Sequence, residues 1–260
     1  MDDELQQDDA ASRLRLVLGE KNVARLEGSR VMVLGLGGVG GACAEALARS
    51  RVGSLVLVDR DVVGASNINR QVIAFNSTVG RAKTDVMRDM ALDINPDCDI
   101  TTLHAYVAKD TLEEQLDALP APDFVVDAID TVTQKLLVAQ WAQARGYRLV
   151  SSMGAANKLY PELLRFSRIE KTEGDRLCRI MRKECRRRGI KGLTVLYSPE
   201  PTMPVHTDVD ASEVRGDPEA KGAVLGTMSY MPAIMGQMIA SYVICELLGL
   251  QNEHLGRSPR

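Results

Sequence analysis

No C-x-x-C pair occurs in this 260-residue chain. The five cysteines, Cys43, Cys98, Cys178, Cys185 and Cys245, are scattered and odd in number. That pattern argues against a structural zinc site and a disulfide framework, and it fits a reducing cytoplasm. Aromatic residues make up only 4% of the chain, so an extended base-stacking platform is not expected and Tyr160 is the single candidate singled out. There is no excess of positive charge; the formal balance is −3. Nucleic-acid binding would therefore need a local patch. No apolar stretch is long enough to make a membrane partner expected. The start, Met1-Asp2-Asp3-Glu4, is acidic, which is wrong for a secretory signal. Residues 1–10 are read as a disordered lead and 251–260 as a flexible tail.

What is present is a large apolar content, 45%, enough for a full core. Val31-Met32-Val33-Leu34 runs into Gly35-Leu36-Gly37-Gly38-Val39-Gly40, a buried strand, a glycine turn and a helix start. Gly35, Gly37, Gly38 and Gly40 let a phosphate approach the backbone, and the helix offers it free N–H groups. Further apolar runs at 55–58, 100–103, 124–126, 148–150 and 193–197 predict strands, and 163–169 is read as a strand outside the nucleotide half. Helices are predicted over 11–27, 39–49, 79–94, 111–119, 133–145, 175–188 and 231–250. Alternating strands and helices imply an α/β, Rossmann-like doubly wound sheet. Residues 11–152 form its nucleotide-binding half. Residues 153–250 are a substrate-side extension of strands and helices that completes one compact domain, with a crossover loop at 199–221.

Asp59 closes the second strand, where an acid can bond a ribose hydroxyl of either NAD or ATP. Arg70 and Lys83 follow it, in Asn67-Ile68-Asn69-Arg70-Gln71 and Gly80-Arg81-Ala82-Lys83. Nicotinamide chemistry has no need of those cations, whereas a triphosphate attacked at its α-phosphorus does. Asp127 and Asp130 leave the fourth strand at the ligand-binding edge. Either suits Mg²⁺ with phosphates, and either suits a helix cap.

These motifs jointly resemble the ubiquitin-activating-enzyme-like adenylating fold, shared by molybdopterin- and thiamine-biosynthesis adenylyltransferases. The resemblance implies that Asp59 binds the ribose, that Asn69, Arg70 and Lys83 contact phosphates, and that Asp130 coordinates Mg²⁺. Gln71 supports the phosphate loop, and Asp61, Asn67 and Asp127 join the nucleotide-binding set. It further implies that Arg13, in Ser12-Arg13-x-x-x-x-Leu18-Gly19, reaches a partner subunit's ATP site, hence a homodimer. The catalytic set is then Arg13, Arg70, Lys83 and Asp130. A bound monovalent cation is left open.

The later segments Ser152-Met153-Gly154-Ala155-Ala156-Asn157-Lys158, Glu170-Lys171-Thr172-x-Gly174-Asp175 and Arg187-Arg188-Gly189-Ile190-Lys191 are similar to the tRNA threonylcarbamoyladenosine dehydratases. That similarity implies ATP-dependent cyclisation of threonylcarbamoyladenosine in tRNA through an adenylated carboxylate. Arg176, Arg179, Arg182, Lys183, Arg186, Arg187, Arg188, Lys191 and Lys158 are the candidate landing surface for tRNA. Cys178, Cys185 and Cys245 are either packed or part of sulfur traffic with a sulfur-acceptor protein linked to a cysteine desulfurase. The alternatives are an adenylyltransferase for the C-terminus of a ubiquitin-fold sulfur carrier, a nicotinamide oxidoreductase and a non-enzymatic nucleotide sensor. The crossover loop has no cysteine, so a thioester relay through it is not expected.

Overall fold

A computed structural model describes residues 9–204 and 225–250. The expected lead and tail, and most of the 199–221 crossover, lie outside the described residues. The strands are β1 (Arg30–Leu34), β2 (Ser54–Asp59), β3 (Asp99–His104), β4 (Phe124–Asp127), β5 (Leu149–Ser152), β6 (Arg165–Arg168) and β7 (Thr194–Tyr197). They form one sheet in the order β3-β2-β1-β4-β5-β7-β6. All pairings are parallel except β6 with β7. The helices are α1 (Ser12–Leu18), α2 (Glu20–Glu27), α3 (Gly38–Arg49), α4 (Lys83–Ile94), α5 (Leu112–Asp117), α6 (Val132–Arg145), α7 (Arg176–Arg188) and α8 (Tyr230–Leu248).

Central strands that read as continuous apolar runs are buried on both faces, as a parallel sheet covered by helices requires. Val31 and Val33 face a layer built on α3, α4 and α8. Met32 and Leu34 face the opposite layer, on α5 and α6. A third apolar cluster joins α6 and α7 over β7, with Cys178, Met181 and Cys185 pointing inward. The expected doubly wound fold is the observed one.

Three details differ from the expectations. The first helix is two, because Gly19 breaks it at φ +76°. The helix expected from residue 79 begins at Lys83, after a turn in which Gly80 has φ +88°. And α8 does have the length and mean hydropathy, 1.4, of a bilayer-crossing segment. Half of that window is buried, however, and the helix packs lengthwise on α3. Small residues permit the approach: a Cβ on Gly236 would lie 2.5 Å from Val39 O.

Candidate nucleotide site and its basic flank

In an open parallel sheet, ligands bind beyond the carboxyl ends of the strands, where the strand order reverses. Here that switch point lies between β1 and β4. The chain leaves β1 through Gly35, whose φ is +87°. A Cβ there would meet Ala128 O at 2.8 Å, and one on Gly40 would meet Gly35 O at 1.7 Å. Gly35 and Gly40 are thus demanded by the fold itself. Gly37 is different. Its nearest neighbour would be Gln71 Nε2, at 3.8 Å. Space on that side is open, and Gly37 caps α3 without a side-chain acceptor for the first N–H groups. Those donors suit an anion.

Asp59 is pinned at the end of β2. Its carboxylate accepts from Leu36 N at 2.5 Å and from Asp61 N at 2.8 Å. Asp61 in turn pairs with Lys83 Nζ at 2.8 Å. A polar chain therefore runs from the glycine turn to the first residue of α4. Lys83 is buried although its partner is half-exposed.

The loop after β2 closes beside the glycine turn. Asn67 Oδ1 accepts from Gly64 N, and Asn67 O accepts from Arg70 N and Gln71 N. Asn67 thus serves its own loop. Arg70 Nη1 donates to Ser66 O and Asn69 Oδ1, both at 2.8 Å. Among the described residues Arg70 makes no ion pair, and partial burial lowers its pKa. Gln71 is buried, and its Oε1 has no hydrogen-bond partner. A glycine with open space and an arginine without an ion pair fit a phosphate, and the orphaned Gln71 Oε1 beside them can accept from a hydroxyl or amino group of the same ligand.

The two aspartates after β4 separate. Asp127 is buried, accepting from Ser151 Oγ at 2.6 Å and Ile129 N at 3.1 Å and pairing with Lys135 Nζ at 3.1 Å. Asp127, expected in the nucleotide-binding set, thus has its oxygens engaged inside the sheet. Asp130 is exposed and, among the described residues, accepts only from Thr131 Oγ1, at 3.1 Å. Arg13 is exposed on α1, and among the described residues no hydrogen bond or ion pair joins it to the site. Neither Lys135 nor Ser151 was singled out from the sequence, because a lysine eight residues along from an aspartate carries no local signal.

The basic flank also sorts itself. Lys158 is not a surface cation. It is buried, with Nζ 3.1 Å from Asp175 Oδ2, 2.9 Å from Ser198 O and 3.2 Å from Glu200 O. Arg182 donates to Thr172 O and Thr172 Oγ1. Arg187 and Arg188 pair with Glu184. The cysteines of this region are packed. Burial pushes the Cys178 thiol up and raises Cys185 to about 11; Cys245 is half-buried.

Fold and site together define an α/β protein of the nucleotide-binding class, with its crevice at the switch point of the sheet. Comparison with known proteins gives the family: the ThiF family pattern matches residues 10–258, and the chain belongs to that family. It is 37% identical over 240 residues to the tRNA threonylcarbamoyladenosine dehydratase of Bacillus subtilis, covering 91% of this chain and 94% of that one. It is 36% identical to the molybdopterin-synthase adenylyltransferase of Escherichia coli, but over only 55% of either chain. The E. coli tRNA N6-threonylcarbamoyladenosine dehydratase, solved in complex with ATP, superposes with a TM-score of 0.78 at 26% identity, over 90% of this chain and 92% of that one.

Proposed function

We propose that this chain is an ATP-dependent tRNA threonylcarbamoyladenosine dehydratase. The observation that carries the reading is the extent of similarity. It spans nearly the whole chain for the Bacillus subtilis dehydratase and about half for the carrier-activating adenylyltransferase. The site supports the chemistry. A free carboxylate is a poor electrophile. Transfer of AMP to the threonyl carboxylate, with pyrophosphate leaving, makes a mixed anhydride. The carbamoyl group of the same nucleoside then closes the ring and AMP leaves, an intramolecular step favoured by proximity. Charge develops on the departing phosphates, and Arg70 and Lys83 are the cations positioned to meet it. Asp59 is the ribose acceptor, and Gln71 Oε1 finds its missing partner when the crevice is filled. Mg²⁺ is held by one or two carboxylates and the nucleotide's phosphates, and exposed Asp130 is the carboxylate that fits.

The assembly is read as a homodimer. Leu16 and Val17 are 87% and 81% exposed on α1, a helix with no buried residue of its own. Covering that face with a second copy would carry Arg13 toward the neighbouring crevice. The setting is the cytoplasm, where tRNA and reduced thiols coexist. A sulfur-acceptor partner would find only Cys245, of the three cysteines considered for sulfur traffic, outside the buried class.

The test is mass spectrometry of nucleosides from tRNA bearing threonylcarbamoyladenosine, incubated with the protein and Mg·ATP. Loss of one water, dependent on ATP and abolished by Asp130→Ala, supports the reading. AMP formation with a ubiquitin-fold carrier and none with tRNA would transfer it to the adenylyltransferases.

A further inference from the structure

The sequence of α7 works against local helix stability. It carries seven cations and one acid in 13 residues. No acid lies in its first turn, where Arg176 and Arg179 oppose the helix dipole. Arg182, Arg187 and Arg188 have partners inside the protein. Four cations remain: Arg176, Arg179, Lys183 and Arg186, at spacings of three, four and three. Among the described residues none of the four makes an ion pair, and all are exposed. Their spacing puts them on one face, opposite buried Cys178, Met181 and Cys185. Like charges at such spacing repel. A local rule broken on a solvent face, where the helix's one carboxylate, Glu184, is already engaged by Arg187 and Arg188, points to an external polyanion.

The helix is also aimed. Its N-cap, Asp175, accepts from Cys178 N at 2.7 Å and pairs with buried Lys158. Lys158 belongs to the loop that leaves the carboxyl end of β5, the strand beside β4 and Asp130. Lys158 further bonds the carbonyls of Ser198 and Glu200 just beyond β7, and the Glu200 carboxylate accepts from Leu159 N and Tyr160 N. One end of α7 is thereby stapled to the edge where the nucleotide crevice opens. From there α7 extends about 20 Å at the helical rise, and Lys191 continues the charge beyond its C-cap.

We propose that the Arg176–Arg179–Lys183–Arg186 face of α7 is the track along which the tRNA phosphate backbone lies while the modified nucleoside occupies the crevice. This rests on the dehydratase reading and adds the surface on which the RNA is held. Each cation that neutralises a phosphate releases a counterion, so binding weakens with salt by a slope of roughly 0.7 to 0.9 per contact.

The experiment measures binding of threonylcarbamoyladenosine-bearing tRNA by fluorescence anisotropy across a salt series. It compares the wild-type chain with a variant carrying Arg176→Gln, Arg179→Gln, Lys183→Gln and Arg186→Gln. Two half-variants, R176Q/R179Q and K183Q/R186Q, guard against a folding defect in the fourfold one. K21Q/K109Q removes two exposed cations elsewhere. The expected result is a salt slope smaller by about 3 in the fourfold variant and by about half that in each half-variant. The Kd for tRNA should rise at least tenfold at ~0.1 M salt, with ATP affinity unchanged and K21Q/K109Q like wild type. Unchanged slopes in the α7 variants, or an equal loss in K21Q/K109Q, overturn the track. If the α7 variants dehydrate tRNA with an unaltered KM, the RNA is held elsewhere and only the track fails. If wild type neither binds nor dehydrates the tRNA, the dehydratase reading fails with it.

Discussion

Replacing Lys135 by methionine isolates the ion pair that holds the floor of the crevice. The side chains of Lys135 and Asp127 are only 2% and 1% exposed, with Nζ and Oδ2 3.1 Å apart. Methionine fills much of the lysine's volume but strands a carboxylate inside the sheet. Removing one partner of a buried pair costs about 3 to 5 kcal/mol. Ser151 Oγ and Ile129 N would still donate to Asp127, which places the loss near the lower end. With a urea dependence of about 2 to 3 kcal/mol per molar, the unfolding midpoint should fall by roughly 1 to 1.5 M. Trp141, the single tryptophan, reports the transition by fluorescence. It is buried on the same helix as Lys135, with Nε1 donating to Asp117. Neutralising both partners, in Asp127→Asn with Lys135→Met, should recover stability to within about 1 kcal/mol of wild type. A loss below about 1 kcal/mol in K135M, or a double variant no better than the single, would refute the claim that charge pairing fixes Asp127.

The two kinds of glycine should part company. Gly40→Ala, with its Cβ 1.7 Å from Gly35 O, should cost about 3 kcal/mol or more in thermal melts. Gly37→Ala should melt within about 1 kcal/mol of wild type yet lose ATP affinity by calorimetry; equal behaviour would mean that Gly37 does not face the ligand. Arg70→Ala and Lys83→Ala should each slow adenylation by about 10²-fold or more with circular dichroism unchanged, and near-normal turnover in both removes their phosphate roles. Mixing Lys83→Ala with Arg13→Ala subunits should restore ~25% of activity through hybrid dimers, and no recovery would place Arg13 outside the partner's site. Burial raises Cys98 and Cys185 to about 11, so at pH 8 about one thiol in a thousand is ionised. Alkylation of the native protein should find Cys245 first, and rapid labelling of Cys178 or Cys185 would contradict their packing.

What could be read from the sequence was whatever is local. Apolar runs named the strands, since burial on both faces of a parallel sheet leaves a continuous signature, and β1 spans the residues its composition predicts. Apart from Arg13, the residues chosen for the crevice sit at the carboxyl ends of strands, on the turns that follow them or at the starts of the next helices, where sheet topology gathers them. Tertiary partners were not legible. Lys158 reads as one more cation in a basic region until Asp175 and two distant carbonyls enclose it. Asp127 and Asp130 share one motif, yet one turns inward to Lys135 and the other stays in water. The α7 cations show why this matters. Composition alone cannot tell an arginine that anchors a loop, as Arg182 does on Thr172, from one that is unspent. Among the described residues, only after the internal partners of the α7 cations are assigned does a remainder appear, and it lies on one face of the helix. The same subtraction picks out Arg70 and Gln71 Oε1 in the crevice. In both places the fold has left polar capacity unused, against the general rule that proteins satisfy it: phosphates would use the cations, and a hydroxyl or amino donor of a bound nucleotide would use Gln71 Oε1.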